Sequence, residues 1–434
     1  MELHYWEHHL QNRSSRITSL LLAGLLVVVV FDPSDSLTGL KKYIFLALLV
    51  WWLLLRISTK RPPQIRPAAL LIFFFFGFLF PSLSIVSYYF QGNDFTDYEG
   101  FRTLIGFLSL AFLVIISSMH TSTINIFIKV LTGQAIATLG VTAVLTSNPA
   151  LIAPVTIFGY DQGFLWINAK NYGGLEFLQI FFKTAPFMVL PTAYYASIYF
   201  SMSNERTARA LLLLAICCLA LLVSGTRANM AFAILIPAYF AIRSLKRANL
   251  SRLVIVLVFA IATLTMILVG IDIIVAMLDP QEESNAVKIG YWSDYVNIFS
   301  NPTVLLFGQG IGVVQYFSSL DLDLRITEVT LLELVRNFGM FIAIAYLVFW
   351  LAPIVLLRHP SFQHYNWLLV AYVSYLLISI SNYFILSSTG MILLSIVYSV
   401  CLMPIRSPEA HRRVSFVSHE LLAKRSAGRP LAMG

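Results

Sequence analysis

The sequence predicts an all-α, polytopic integral membrane protein of about twelve spanning helices. Three observations predict it. The chain has 434 residues, 58% of them hydrophobic and only 12% charged, where a soluble domain carries about a quarter charged residues. Its apolar runs are continuous rather than alternating, and only helices or closed barrels satisfy backbone polar groups in lipid. Its basic residues gather in short connections between those runs, the pattern of cytoplasmic loops facing anionic lipid. That placement also turns the net charge of +8 away from nucleic acid and towards the membrane surface.

In chain order the predicted spans are Ile17–Phe31, Leu40–Leu55, Ala68–Phe90, Phe101–Ser118, Ile124–Leu145, Leu175–Phe200, Ala210–Val223, Ala228–Ile242, Leu253–Leu278, Val329–Leu357, Trp367–Ile380 and Met391–Met403. The first follows Arg13 and Arg16 and precedes no small-residue cleavage site, so it is expected to be an uncleaved span. Cys217, Cys218 and Cys401 lie within apolar runs, without disulfide or zinc spacing.

On this count Arg56, Lys60, Arg61, Arg66, Arg206, Arg209, Arg243, Lys246, Arg247, Arg252, Arg358 and the basic tail 404–434 share one side. Asp94, Asp97 and Glu99 fall on the other, as does the long connection Asp279–Glu328, with seven acids against Lys288 and Arg325. The positive-inside rule then makes both termini cytoplasmic. The whole chain is expected to form one membrane domain, with two long outward connections, 146–174 and 279–328. The larger lies between the ninth and tenth spans. Within it YWSDYVNIF is an aromatic amphipathic stretch suited to a helix on the membrane surface.

The stretch LLVSGTRANMAFAIL places Arg227 inside an apolar run. Only 33 residues separate Arg209 from Arg243, and two full crossings need about 40. Each arm of about 15 residues reaches ~22 Å against ~30 Å of hydrocarbon. The turn Ser224–Arg227 is therefore expected below the outer surface. A recessed guanidinium there either snorkels to the headgroups or grips an anion at the bottom of an outward cavity. Other charges inside spans, Lys183, Asp272 and Arg336, fall in outer halves, although Glu333 and Arg336 have the spacing of a simple helical pair. That asymmetry favours a site reached from outside over a transporter with polar groups near the midplane.

Three segments carry a resemblance to a known family: SGTRANMAF, KIGYWSDYVNIFSNPTVLLFGQGIGV and TEVTLLELVRNFGM. In this order on a twelve-span frame, the chain resembles the bacterial O-antigen polymerases, relatives of the O-antigen ligases. The likeness runs from about Ala210 to Leu357. The family usually has Ser-Arg where this chain has Thr226-Arg227, and often Arg where this chain has Lys288. The resemblance implies an inner-membrane glycosyltransferase without cofactor or metal. Such an enzyme moves a growing glycan from undecaprenyl diphosphate onto a sugar hydroxyl of a new lipid-linked repeat unit at the periplasmic face. Its partners are then the lipid-linked donor and acceptor, membrane lipid, and in some systems a chain-length-regulating co-polymerase.

The implied chemistry needs fixed cations for the departing diphosphate: Arg227 and Lys288 first, with Arg325 and Arg336 as supplements. It also needs a base for the acceptor hydroxyl. Glu328 is the candidate, expected to open a helix with Thr327 as its N-cap; a purely capping role is the alternative. Asp294 is the next candidate base. Tyr291, Trp292 and Trp166 are candidates to stack on sugars, with Asp294 beside them, and Asn171 is given no role. The ligase branch places a His, usually followed by Asn, where this chain has Glu328-Val329. All eight histidines fall on the predicted cytoplasmic side, which favours polymerase over ligase. A polysaccharide flippase or other transporter is the reading from a different class.

Overall fold

The computed structural model describes residues 2–58, 64–90, 104–119, 123–172, 175–200, 207–245, 283–380, 382 and 384–403. The predicted ninth span with its Asp272, the Asp94–Glu99 loop, the basic residues Lys60, Arg61, Arg206, Lys246, Arg247 and Arg252, and the tail all lie outside the described residues. What is described is predominantly helical. Three helical stretches are long and apolar enough to cross a membrane: Pro67–Phe90, Thr123–Ser147 and Thr330–Leu357. Shorter apolar helices cover Arg16–Phe31, Leu104–Ser118, Ala208–Val223 and Ser388–Cys401.

The chain begins with α1 (Glu2–Phe31) and α2 (Leu40–Ser58). Between them Asp32 takes hydrogen bonds from the backbone N–H of Ser36, Leu37 and Thr38 and from the Thr38 hydroxyl. α3 (Pro67–Ile72) leads through a π-helical segment, Phe73–Leu79, into α4 (Phe80–Phe90). A π turn shifts the side chains after it around the helix. Phe76 in this segment stacks on Phe349 at 4.3 Å, and Phe349 stacks on Tyr398 at 5.0 Å. With the fully buried Tyr346, these rings tie three separate stretches of chain into one core.

α5 (Ala111–Ser118) and α6 (Thr123–Ser147) follow. Lys129 lies in the first half of α6 with its side chain exposed, so the expectation that charges inside spans keep to outer halves does not hold. The first long connection is ordered: α7 (Ile152–Asp161) precedes an antiparallel hairpin of β1 (Leu165–Tyr172) and β2 (Leu175–Phe182).

This hairpin corrects the sixth predicted span. Leu175–Phe200 is not one helix: β2 gives way to a 3-10 turn at Ala185–Met188 and then to α8 (Val189–Tyr199). The reason is periodicity. Leu165, Ile167, Ile180 and Phe182 face one way into a small core with Leu145, while Trp166, Asn168, Gln179 and Phe181 face the other way by register. The closing pair Tyr172–Leu175 leaves two residues between the strands, and the sequence there is Gly-Gly, a hairpin signal. Lys183 therefore follows a strand and does not lie within a helix.

α9 (Thr207–Val223) and α10 (Arg227–Leu245) form the short helical pair expected around Arg227. In the second long connection, α11 (Glu283–Phe299) contains the predicted aromatic helix. It is followed by α12 (Pro302–Phe307), a Gly-rich turn, and a small hairpin of β3 (Gln315–Phe317) and β4 (Leu322–Leu324). The two hairpins qualify the all-α expectation. The chain then enters α13 (Thr330–Leu357), α14 (Asn366–Ile380) and α15 (Ser388–Cys401).

α13 is broken at Gly339, with φ 75° and ψ 164°. A Cβ there would press into the Leu306 carbonyl, so the close approach of α12 requires glycine. A break leaves carbonyls of the preceding turn without their helical donors. Here the Arg336 carbonyl accepts from the Gln309 N–H at 2.6 Å, and the Asn337 carbonyl from the Ser84 hydroxyl at 2.6 Å. Ser84 in turn accepts from the Ile311 N–H, and the Ser87 hydroxyl donates to the Gly308 carbonyl. The Gly-rich turn is thereby wedged between α4 and the break.

Candidate functional site

The turn between α9 and α10 is built from its own backbone. The Ser224 N–H donates to the Ala220 carbonyl, the Gly225 N–H to the Leu222 carbonyl, and Gly225 takes φ 64°. The Met230 N–H donates to the Thr226 carbonyl, so Thr226 holds the N-cap position and Arg227 is the first helical residue. A cation at a helix N-terminus opposes the macrodipole. An anion bound there meets both the guanidinium and the first-turn N–H groups.

Arg227 is half-buried, and its Nη1 donates to Oδ1 of Asn285 at 2.8 Å. That bond ties the start of α10 to the start of α11. Asn285, Lys288 and Tyr291 follow at three-residue spacing, which places them along one side of α11. Lys288 is half-buried and its ammonium makes no hydrogen bond or ion pair among the described residues. Further along, Tyr291 is buried against Phe317. Burial raises its phenol pKa, and the Glu328 and Glu333 carboxylates add to that rise.

Glu328 is exposed, and no hydrogen bond or ion pair engages its carboxylate among the described residues. It does not open the helix as expected. The N-cap of α13 is Val329, without a side-chain cap, and the helix starts at Thr330. Thr327 is not the cap either: its hydroxyl and N–H both point at the Glu333 carboxylate. The capping alternative for Glu328 has no contact to support it.

Arg336, expected as a supplementary cation, has its own partners. It is fully buried and forms a 2.5 Å ion pair with Glu333, also fully buried. Its remaining donors reach the carbonyls of Val313 and Arg325 and the Gln309 side chain. Glu333 also accepts from Tyr295 at 2.6 Å and from the Asn337 amide. The predicted helical pair is thus present, and the guanidinium sits in a protein hydrogen-bond network. Arg325 gives this network its backbone carbonyl and is half-buried.

Asp294 is likewise committed. It is buried and accepts from the Ser318 hydroxyl, the Ser319 hydroxyl and the Ser319 N–H, clasping the β3–β4 turn to α11. Burial pushes its carboxyl up, but these hydrogen bonds outweigh burial and hold it below the ordinary carboxylate value. Tyr291 is shut into a small core with Tyr295 and Phe317, so of the two neighbouring aromatics only Trp292, 57% exposed, presents a ring. Trp166 stands apart on the β1–β2 hairpin, half-buried, with its ring 5.8 Å from Phe181. No trio of His, Cys, Asp or Glu side chains is placed to share a metal ion among the described residues.

Sequence reasoning missed Asn285, which orients Arg227, and Tyr295, which locks Glu333. Both act across long sequence separations, and the only signal was their position on the aromatic helix. No known protein family, curated protein or solved structure matches this chain.

Proposed function

We propose that this chain is a polysaccharide polymerase of the O-antigen type, working at the outer face of the bacterial inner membrane with both termini cytoplasmic. The observation that carries the reading is the Arg227–Asn285 tether, which brings a helix-terminal guanidinium onto the same side of α11 as Lys288, an ammonium without an ionic partner among the described residues. The 17 residues of α9 rise only ~25 Å, short of ~30 Å of hydrocarbon, which supports a recessed turn. In the proposed reaction an acceptor sugar hydroxyl attacks the anomeric carbon of the donor glycan. The new C–O bond forms as the bond to undecaprenyl diphosphate breaks. The hydroxyl proton passes to Glu328, and the diphosphate leaves onto Arg227 and Lys288, with Arg325 as a supplement. The fork of Arg227 suits phosphate oxygens, and preorganised cations lower the barrier most where leaving-group charge develops.

The test uses purified protein in detergent with a lipid diphosphate-linked repeat unit as sole substrate. The parent should give ladders of lipid-linked polymer without lipid A. Arg227→Ala should abolish them at unchanged protein level, and Arg227→Lys should stay poor because a point charge does not replace the fork. Glu328→Gln should slow the reaction ~100-fold or more if Glu328 is the base. Transfer onto lipid A core without ladders would make the chain a ligase. Movement of the lipid-linked unit across vesicles without any transfer would make it a transporter.

A further inference from the structure

Beneath Arg227 lies a group of polar side chains that the proposed reaction does not use. Ser224 and Asn229 are fully buried, and Gln179 on β2 is 7% exposed. Gln179 Nε2 donates to the Ser224 carbonyl at 2.9 Å, and Asn229 Nδ2 donates to Ser224 Oγ at 2.9 Å. Both amides therefore grip one residue, and the other half of each, Gln179 Oε1 and Asn229 Oδ1, is buried with no partner.

Flipping the amides does not repair this. The Ser224 carbonyl only accepts, so Gln179 must present its NH₂. Ser224 Oγ spends its one proton on the Leu221 carbonyl at 2.6 Å, so it too can only accept, and Asn229 must present its NH₂. Thr226 adds a third group. At the N-cap position its hydroxyl would ordinarily accept from a first-turn N–H, yet Thr226 Oγ1 is buried and unpartnered as well. An unmade hydrogen bond on a buried acceptor costs about 1–3 kcal/mol, so three on side chains gathered around Ser224 mark a place that takes donors. Three neutral oxygens suit a cation poorly beside a guanidinium. They suit hydroxyl groups, which donate to the amide oxygens and exchange with the threonine.

The hairpin adds an apolar surface. By register Gln179 and Trp166 lie on the same face of the β1–β2 ribbon, with Phe181 opposite Trp166. A half-exposed indole beside orphaned acceptors combines a ring to stack on with oxygens to hydrogen-bond.

We propose that Gln179, Thr226 and Asn229 form a subsite for a polyhydroxylated ring, the sugar joined directly to the phosphate held by Arg227. The proposal rests on the polymerase reading and adds to it the element that reads the glycan, separately from the diphosphate.

The test is binding by the full chain in nanodiscs, with two probes: undecaprenyl diphosphate alone, and the lipid-linked repeat unit isolated from cells lacking this protein. The parent should bind the glycosylated lipid about tenfold tighter, the size of one to two satisfied acceptors. Thr226→Val, which keeps the shape at a half-buried position, and Asn229→Ala should each erase most of that margin and leave binding of the bare lipid unchanged. Melting temperature checks folding, and Thr226→Val decides alone should Asn229→Ala unfold. A margin retained in the folded variants would mean that the subsite holds ordered water only, and would overturn the proposal. Equal weakening for both lipids would overturn it too, because the turn would then merely support Arg227. A parent that binds both lipids equally ends this proposal while the polymerase reading stands. A parent that binds neither ends both.

Discussion

At the scale of single residues, the charges expected to act together divide into two kinds. Lys288 and Glu328 have no ionic or hydrogen-bonded partner among the described residues, while Arg336 and Asp294 are fully engaged by protein. The i, i+3 spacing of Glu333 and Arg336 made their pairing legible. The depth of the pair was not legible, because burial is set by Tyr295 on α11 and by the carbonyls of residues 313 and 325. Removing one member of a buried pair leaves the other charge unpaired and costs about 3–5 kcal/mol. Glu333→Gln should accordingly lower the thermal midpoint in detergent well below that of Glu328→Gln, which should match the parent. Equal midpoints for the two variants would show that the buried Glu333 carboxylate, with its Arg336 pair and its Tyr295 hydrogen bond from α11, does not stabilise the fold.

At the scale of elements, three of the predicted runs, Ala68–Phe90, Ile124–Leu145 and Val329–Leu357, coincide with helices long and apolar enough to cross a membrane, because such a helix and its hydropathy run have the same extent. The run after Gly174 was misread because its strand is aromatic and apolar on both faces, which hides the two-residue period. Its neighbour across the ribbon lies in what composition marks only as a loop. The break in α13 was equally hidden, since a lone glycine in an apolar run usually signals close packing rather than a positive φ. Its physical requirement is strict. Gly339→Ala should cost about 2–4 kcal/mol, combining left-handed strain with overlap on the Leu306 carbonyl. The measurement is again the unfolding midpoint, and a loss below about 0.5 kcal/mol, the size of an ordinary surface change, would mean that the helix straightens without penalty.

At the scale of the whole molecule, a mostly helical chain with helices apolar enough to cross a membrane was legible in the sequence. Arg227, Lys288 and Glu328 are linked through one helix that the sequence marked as aromatic and amphipathic. The details it could not give are the side-chain tethers Arg227–Asn285 and Tyr295–Glu333, which join residues far apart in the chain. Orientation is tested by single cysteines at Ser284 and Ser415 in a Cys-free background. An impermeant thiol reagent on intact spheroplasts should label position 284 and not 415; the reverse would place the proposed site on the wrong side. The broken helix bears on the same frame. From Met340 to Leu357 the chain rises ~27 Å at 1.5 Å per residue, close to one hydrocarbon thickness. The apolar residues before Gly339 are thus surplus to the crossing, and the 28-residue run is two parts by mechanical duty. The part from Met340 on is long enough by itself to be a membrane anchor. The part before Gly339 packs Leu332 against Tyr291, Tyr295 and Phe317, so its apolar character answers to α11 and the β3–β4 hairpin, a protein lining that hydropathy alone reads as lipid.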